Sequence, residues 1–139
     1  MKIYMFGNPL VDRDNTVFSI RSSLIHDFPS IDFIIADPNG NFPPQGERDL
    51  IILDAVKSIP RVMLLDFSDL AHIEKSPVSP HDYDLLLHLL LLKKMGKIDS
   101  VKIIGIPYHD YADNNRLLKE ISFYIRSLQS IEAAKLRGL

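Results

Sequence analysis

The 139-residue chain contains no cysteine and no tryptophan. Without cysteine it cannot form disulfides, ligate zinc through thiolates or use a cysteine nucleophile. The 16 basic and 18 acidic residues give a net charge of −2, and no basic stripe is present, so no nucleic-acid partner is expected. Any metal that the protein contacts is therefore expected to have oxygen and imidazole ligands.

Long apolar runs and targeting signals are also missing. The longest apolar run, Leu85 to Leu92, is interrupted by His88 and is much shorter than the roughly 20 residues of a membrane-spanning helix. The amino terminus lacks a cationic region followed by an apolar one, so no signal peptide is expected. We therefore expect a cytoplasmic protein with no membrane partner and a single domain over residues 1–139.

Several well-known catalytic motifs are absent. The chain has neither the Gly-x-Ser-x-Gly elbow of serine hydrolases nor the His-Glu-x-x-His helix of zinc peptidases. It also lacks the glycine-rich loops that bind dinucleotides or nucleoside phosphates. These absences argue against a serine hydrolase and against a nucleotide-dependent enzyme.

What the chain does contain is an alternation of short apolar runs with helical patterns. Runs such as Leu50 to Leu53 do not alternate with polar residues, which is typical of parallel strands covered on both faces. The order of elements predicts a three-layer α/β/α fold with a mostly parallel five-stranded twisted sheet containing one antiparallel strand. The predicted strands are 2–6, 30–36, 50–54, 62–66 and 101–106, and the predicted helices are 16–28, 80–94 and a final helix from 114 or 115.

Two of the predicted strands are joined by a short connection. The connection between the strand ending at Asp54 and the strand ending at Asp66, Lys57 to Arg61, is short. Because a parallel crossover needs a dozen or more residues, these strands are expected to be antiparallel neighbours. Asp66 would then point to the sheet edge opposite Asp54 and have a structural role.

Acidic residues follow the first strand and end the third. Asp12 and Asp14 lie on the first strand-to-helix turn, Asp54 ends a strand parallel to the first, and His81 begins a helix. In an open α/β sheet, ligands bind at the carboxyl ends of the strands. Asp14, Asp54 and His81 could therefore form a site for a borderline cation with oxygen and nitrogen ligands. Ordinary turn and capping roles are the alternative.

The chain resembles the maturation endopeptidases of nickel–iron hydrogenases in three blocks. Phe6 to Asp14 resembles that family's Gly-Asn-x-Leu turn followed by an acidic pair. Leu50 to Val56 resembles its central strand ending in Asp-Ala. Ser79 to His81, with Val101 to Pro107, resembles its Ser/Thr-x-His helix start and its Ile-Gly-Ile strand. The blocks occur in the family's order and together cover most of the chain.

This resemblance implies a metal-dependent endopeptidase that removes the C-terminal extension of a hydrogenase large-subunit precursor after nickel insertion. The family's metal-contacting positions fall on Asp14, Asp54 and His81, which are therefore the predicted catalytic and metal-contacting residues. The metal is expected to be nickel carried by the substrate protein, with another divalent metal as the alternative. Asp12 or Asp54 is the candidate general base.

The chain departs from the family pattern in two places. Asn15-Thr16-Val17 stands where the family has Gly-x-Gly, and the Asp37 to Asp49 connection is short and Pro-rich where relatives often have a helix. Since glycine permits close approach of a peptide backbone, the first departure motivates an alternative to the leading endopeptidase hypothesis. This alternative is a non-catalytic paralogue that binds a metalloprotein partner or a metal. An unrelated small α/β domain with turn aspartates is a further alternative.

Overall fold

The computed structural model describes residues 1–6, 20–36, 42–56, 59–66, 80–107 and 114–138, with only the backbone described for 80–86. All five predicted strands are present, and so are three helices at the predicted places. The elements are β1 (Lys2–Met5), α1 (Arg21–Asp27), β2 (Asp32–Ile35), β3 (Asp49–Val56), β4 (Met63–Leu65), α2 (Pro80–Lys94), β5 (Ser100–Pro107) and α3 (Asn114–Leu136).

The strands form one sheet in the order β2-β1-β3-β5-β4. The β1–β2, β1–β3 and β3–β5 pairs are parallel, whereas β4 runs antiparallel to β5. One apolar cluster joins α1 and α3 to one face of the sheet, and a second joins α2 to the other face. The predicted three-layer fold with a mostly parallel five-stranded sheet is therefore confirmed.

The prediction that β3 and β4 are neighbours is wrong, although their opposite directions were predicted correctly. Strand β5 lies between them and pairs with both. A short connection limits the distance between two strands but does not require them to be adjacent. Residues 57–62 have to cross only two strand spacings of about 4.8 Å, well within the reach of six residues.

We call the side of the sheet that α1 and α3 cover the α3 face. Alternate side chains of the central strands point to it, because successive strand residues face opposite sides. Helix α3 is amphipathic and buries one stripe of apolar side chains against this face. The buried residues of this layer include Ile3, Met5, Leu53, Ile104, Leu117, Ile121, Ile125 and Leu128.

We call the opposite side the α2 face. Its core contains Tyr4, Phe6 and Leu89, all buried. Phe42 closes this core, because its ring lies edge-on to Tyr4 and Phe6 with centroid distances of 5.1 and 4.9 Å. His88 Nε2 lies 2.8 Å from the Phe42 carbonyl oxygen and thereby links α2 to the connection between β2 and β3.

Arg48 ties the end of α2 to the amino end of β3. Its guanidinium donates to both carboxylate oxygens of Asp99 at 2.9 Å and to the Gly96 carbonyl at 2.8 Å. Gly96 has a φ of 73°, a conformation that suits glycine and follows the last residues of the helix. Because α2 ends at the amino edge of the parallel strands, the helix is directed with its first turn towards their carboxyl edge.

Candidate functional site

Asp54 lies near the carboxyl end of β3, the central strand of the sheet. Its side chain is 4% exposed, and it is the one buried carboxylate among the residues that the structure describes. Strand alternation places Asp54 on the α2 face, together with the buried Ile52 and Val56. A carboxylate in this position is unusual, because burying a charge costs free energy unless the charge is compensated.

The Asp54 carboxylate is held in part by its own strand. The Ala55 backbone N–H donates a hydrogen bond to Asp54 Oδ1 with an N···O distance of 2.8 Å. This contact offsets part of the cost of burial and restricts the rotation of the carboxylate. A buried carboxylate of fixed orientation is suited to contact a cation or to accept a proton.

Both neighbouring strands end close to Asp54. The Phe6 N–H donates to the Leu53 carbonyl at 3.1 Å, so β1 leaves the sheet at the level of Asp54. On the other side Gly105 of β5 is directly paired with Asp54. Asp14 and Asp12, which follow β1 in the sequence, lie outside the described residues.

His81 occupies the first turn of α2, and only its backbone is described. The direction of α2 places this turn towards the carboxyl edge, on the face where Asp54 lies. The backbone thus brings positions 54 and 81 to the same side and the same end of the sheet. The convergence of Asp14, Asp54 and His81 stays a prediction.

Asp66 is separated from Asp54 in the sheet. It follows the last residue of β4, Leu65, which pairs with Ile103, whereas Asp54 pairs with Gly105. Asp66 is exposed. Compared with Asp54, it lies about three residues nearer the amino edge of the parallel strands and two strand spacings away across the sheet. These displacements separate the two residues by more than about 10 Å. This position agrees with a role for Asp66 outside the predicted site.

Two other histidines contact residues outside the predicted trio. His88 Nε2 contacts the Phe42 carbonyl oxygen, so this mid-helix residue links α2 to the connection at 42–48. His26 is exposed, and its Nδ1 lies 3.3 Å from Asp27 Oδ1. His72 and His109 lie outside the described residues.

The described parts of the chain contain no group of three or more His, Asp or Glu side chains placed to hold a metal ion. The predicted trio includes Asp14 and the side chain of His81, which are outside these parts. The described member, Asp54, offers the hard carboxylate oxygen that a divalent cation accepts. Its donor chemistry therefore fits the predicted contact with a metal.

A groove of about 860 Å³ lies between residues 42–48 and the second half of α2. Phe42 and Leu92 contribute apolar walls, while Arg48, His88 and Lys97 contribute polar ones. This groove opens near the amino edge of the sheet, at the end opposite Asp54. The groove was not predicted from the sequence. The sequence signal for it is the connection at 42–48, which is short and Pro-rich and therefore leaves part of α2 uncovered.

No helix in the described part of the chain combines the length and apolar character needed to cross a bilayer.

Three solved structures are similar to this chain. The hydrogenase maturating endopeptidase HybD from E. coli is 20% identical with a TM-score of 0.56, and the match covers 77% of this chain and 74% of that chain. A solution structure of an endopeptidase from Escherichia coli gives the same identity, TM-score and coverage. The NiFe hydrogenase maturation protease HybD from Thermococcus kodakarensis is 19% identical with a TM-score of 0.53, over 77% of this chain and 80% of that chain.

No protein-family profile matches the chain, and no curated protein matches its sequence. The chain therefore shares the fold of hydrogenase maturation endopeptidases at low sequence identity.

Proposed function

We propose that this protein is an endopeptidase that removes the C-terminal extension of a nickel–iron hydrogenase large-subunit precursor after nickel insertion. The observation that carries the proposal is the buried carboxylate of Asp54 at the carboxyl end of the central strand. The fold shared with hydrogenase maturation endopeptidases supports the same proposal. The partner is the precursor, encountered in the cytoplasm.

Nickel belongs to the substrate in this proposal. Asp54, Asp14 and His81 would contact nickel that the precursor already holds, and the contact would place the scissile peptide bond at the sheet edge. Asp54 suits this role because it is buried and partly immobilised by the Ala55 N–H, so it needs little rearrangement when the cation arrives. Recognition would therefore depend on nickel being present in the precursor.

Cleavage requires that water add to the scissile carbonyl carbon and that the peptide C–N bond then break. A nearby metal ion polarises such a carbonyl and stabilises the negative charge that develops on its oxygen. The carboxylate of Asp12 or Asp54 would accept a proton from the attacking water, and this proton would pass to the departing amine. The products are the mature large subunit and the free extension peptide.

The proposal is tested by incubating the purified protein with nickel-loaded and nickel-free precursor and measuring the mass of the large subunit. We expect the wild type to shorten only the nickel-loaded precursor. Asp54→Asn should lose activity by about a hundredfold or more, because the amide carries no negative charge and is a poor base. The same result is expected for His81→Ala.

Asp66→Asn is the matched control, since it makes the same chemical change at an exposed aspartate away from the site. The Asp54→Asn variant should keep the hydrogen bond from the Ala55 N–H through its amide oxygen, and circular dichroism would verify that each variant is folded. Undiminished cleavage by a folded Asp54→Asn variant would refute the assigned site. Equal processing of both precursors by the wild type would refute nickel recognition.

The alternative function, a non-catalytic paralogue, makes a different prediction in the same assay. Such a protein would bind the matched precursor without shortening it. A pull-down of the nickel-loaded precursor, combined with its unchanged mass, would therefore favour the paralogue over the endopeptidase.

A further inference from the structure

The connection between β3 and β4 has to cross β5, because β5 lies between these two strands in the sheet. Ile59, in the middle of this connection, is only 8% exposed. Its side chain belongs to the apolar core of the α2 face. The crossing therefore packs a side chain onto β5 on the face of the sheet where Asp54 lies.

Gly105 is the residue of β5 over which Ile59 packs. A Cβ atom at Gly105 would lie 3.1 Å from both Ile59 Cδ1 and Val56 Cγ2, and 3.4 Å from Leu65 Cδ1. Carbon atoms that are not bonded to each other prefer separations of about 3.5–4.0 Å. Three apolar side chains therefore fill the space that a larger residue at position 105 would need, and glycine permits this close approach.

The space over Gly105 is next to Asp54. The two residues are directly paired in parallel strands, so their side-chain positions are on the same face and about 5 Å apart. Ile59 Cδ1 therefore lies no more than about 8 Å from the Asp54 Cβ atom, on the β5 side. On the β1 side, the fully buried Phe6 lies at the level of Asp54. Asp54 thus has an apolar side chain beside it in both directions across the sheet.

We propose that Ile59, packed over Gly105, is a positioning residue for the Asp54 carboxylate. By filling the space towards β5, Ile59 keeps the carboxylate in the orientation in which Oδ1 accepts the Ala55 N–H at 2.8 Å. Ile59 acts through Asp54 and has no contact with the precursor in this proposal. The importance of the orientation for cleavage rests on the proposed function, whereas the orientation itself is a property of the isolated chain.

The direction of the carboxylate matters because contact with a cation and acceptance of a proton both depend on it. Misplacing a catalytic group by 1 Å can lower a rate by about a hundredfold. Ile59→Ala removes three carbon atoms and leaves a cavity beside Asp54, into which the carboxylate can turn. We therefore expect this variant to be impaired in the catalytic step and much less in precursor binding.

The first test needs no precursor. The Ala55 amide proton reports on the hydrogen bond to Asp54 Oδ1, because hydrogen bonding moves an amide proton signal downfield in NMR spectra. We expect Ile59→Ala to move the Ala55 signal upfield. Ile98→Ala is the matched control, since it truncates another buried isoleucine of the α2 face, at the amino edge of the sheet. This control should leave the Ala55 signal in place.

The second test measures cleavage of the nickel-loaded precursor, with rates corrected for the folded fraction of each variant. Ile59→Ala should lower kcat by about tenfold or more with little change in KM, whereas Ile98→Ala should keep the wild-type kcat. Adding Gly105→Ala to Ile59→Ala places a methyl group in the vacated space. This double variant should recover part of the lost kcat and move the Ala55 signal back towards its wild-type position.

Ile59→Val removes Cδ1 alone, so it tests the same contact if Ile59→Ala does not fold. It should move the Ala55 signal in the same direction by a smaller amount. An Ala55 signal that stays in place in both folded variants would overturn the proposal.

The cleavage assay separates the positioning role from the proposed function. If the wild type cleaves and folded Ile59→Ala has the same kcat, the positioning role is refuted and the endopeptidase stands. Equal losses in Ile59→Ala and Ile98→Ala would also refute the positioning role, because they would follow from lowered stability. If the wild type does not cleave but Ile59→Ala moves the Ala55 signal, the endopeptidase is refuted and Ile59 still orients Asp54.

Discussion

The two faces of the sheet are covered in different ways. On the α3 face, a 23-residue amphipathic helix buries one apolar stripe and turns its polar side to water. On the α2 face, the 15-residue helix is apolar on several sides, and the connection at 42–48 covers only part of it. The α3 face is therefore complete within one chain, whereas the α2 face retains an exposed apolar stripe and a groove.

The two helices therefore contribute differently. Helix α3 contributes mainly to the stability of the fold, whereas α2 also has apolar residues on its outer side. An amphipathic helix turns its main apolar stripe to the core of its own chain. Phe123 and Ile131 of α3 are exposed, but they lie outside this stripe. A helix with apolar residues on its outer side contributes to the core through one side only. The α2 face also contains Asp54 and the first turn of α2, so the candidate site and the exposed apolar residues of α2 lie on the same face.

The largest expected contrast between the faces is in core packing. Ile125→Ala on α3 should lower the free energy of unfolding by about 2–5 kcal/mol, because Ile125 is fully buried and its truncation leaves a cavity. Leu91→Ala on α2 should change it by less than about 1 kcal/mol, because Leu91 is half exposed. Urea unfolding measures both values.

Ser130→Ala is a suitable control on α3, since Ser130 is exposed on the same helix as Ile125. Its effect on unfolding should be small compared with that of Ile125→Ala. If Leu91→Ala were as destabilising as Ile125→Ala, the contrast between the two faces would be lost.

A smaller effect is expected at Gly105, the neighbour of Asp54 in the sheet. A Cβ atom at this position would lie 3.1 Å from both Ile59 Cδ1 and Val56 Cγ2 on the α2 face. Gly105→Val should therefore be destabilised by about 1–3 kcal/mol through overpacking, as measured by urea unfolding.

Shortening a neighbour of Gly105 should relieve this strain. Ile59→Ala should be less costly in the Gly105→Val background than in the wild type, and a double-mutant cycle measures the difference. Additive effects of the two substitutions would show that the predicted clash does not occur.

The smallest expected effect concerns Asp99 at the amino edge. The hydrogen bonds from Arg48 lower the pKa of Asp99 below its ordinary value. A lowered pKa means that the ion pair stabilises the fold above the unfolded-state pKa of about 3.9 and that this contribution is lost as the pH falls through the folded-state pKa.

Arg48→Gln should raise the pKa of Asp99 towards the ordinary value, which NMR titration of the carboxylate would detect. Both side chains of the pair are half exposed, so salt should weaken the shift in the wild type. Lys102→Gln, a charge removal elsewhere on β5, should leave the pKa of Asp99 unchanged. A wild-type pKa that is insensitive to Arg48→Gln would contradict the assigned cause.

The local pattern of the chain predicts most of its elements. Pro80 and Gly96 mark the two ends of α2, and the apolar runs mark β3 and β5, because helix boundaries and strand periodicity depend on nearby residues. The order of the strands does not depend on nearby residues in this way. The short link between β3 and β4 is compatible with adjacency and also with β5 inserted between them.

The candidate site also combines features that the sequence predicts with features that only the tertiary structure reveals. The sequence alone places Asp54 near the carboxyl end of a buried parallel strand, which in the structure continues to Val56, and His81 in the first turn of a helix. Only the tertiary structure decides that Asp54 is buried on the α2 face, that α2 directs its first turn to the same edge, and that Leu87, Leu91 and Met95 are left uncovered. The physical reason is that secondary structure follows from local periodicity, whereas burial depends on which distant segments pack together.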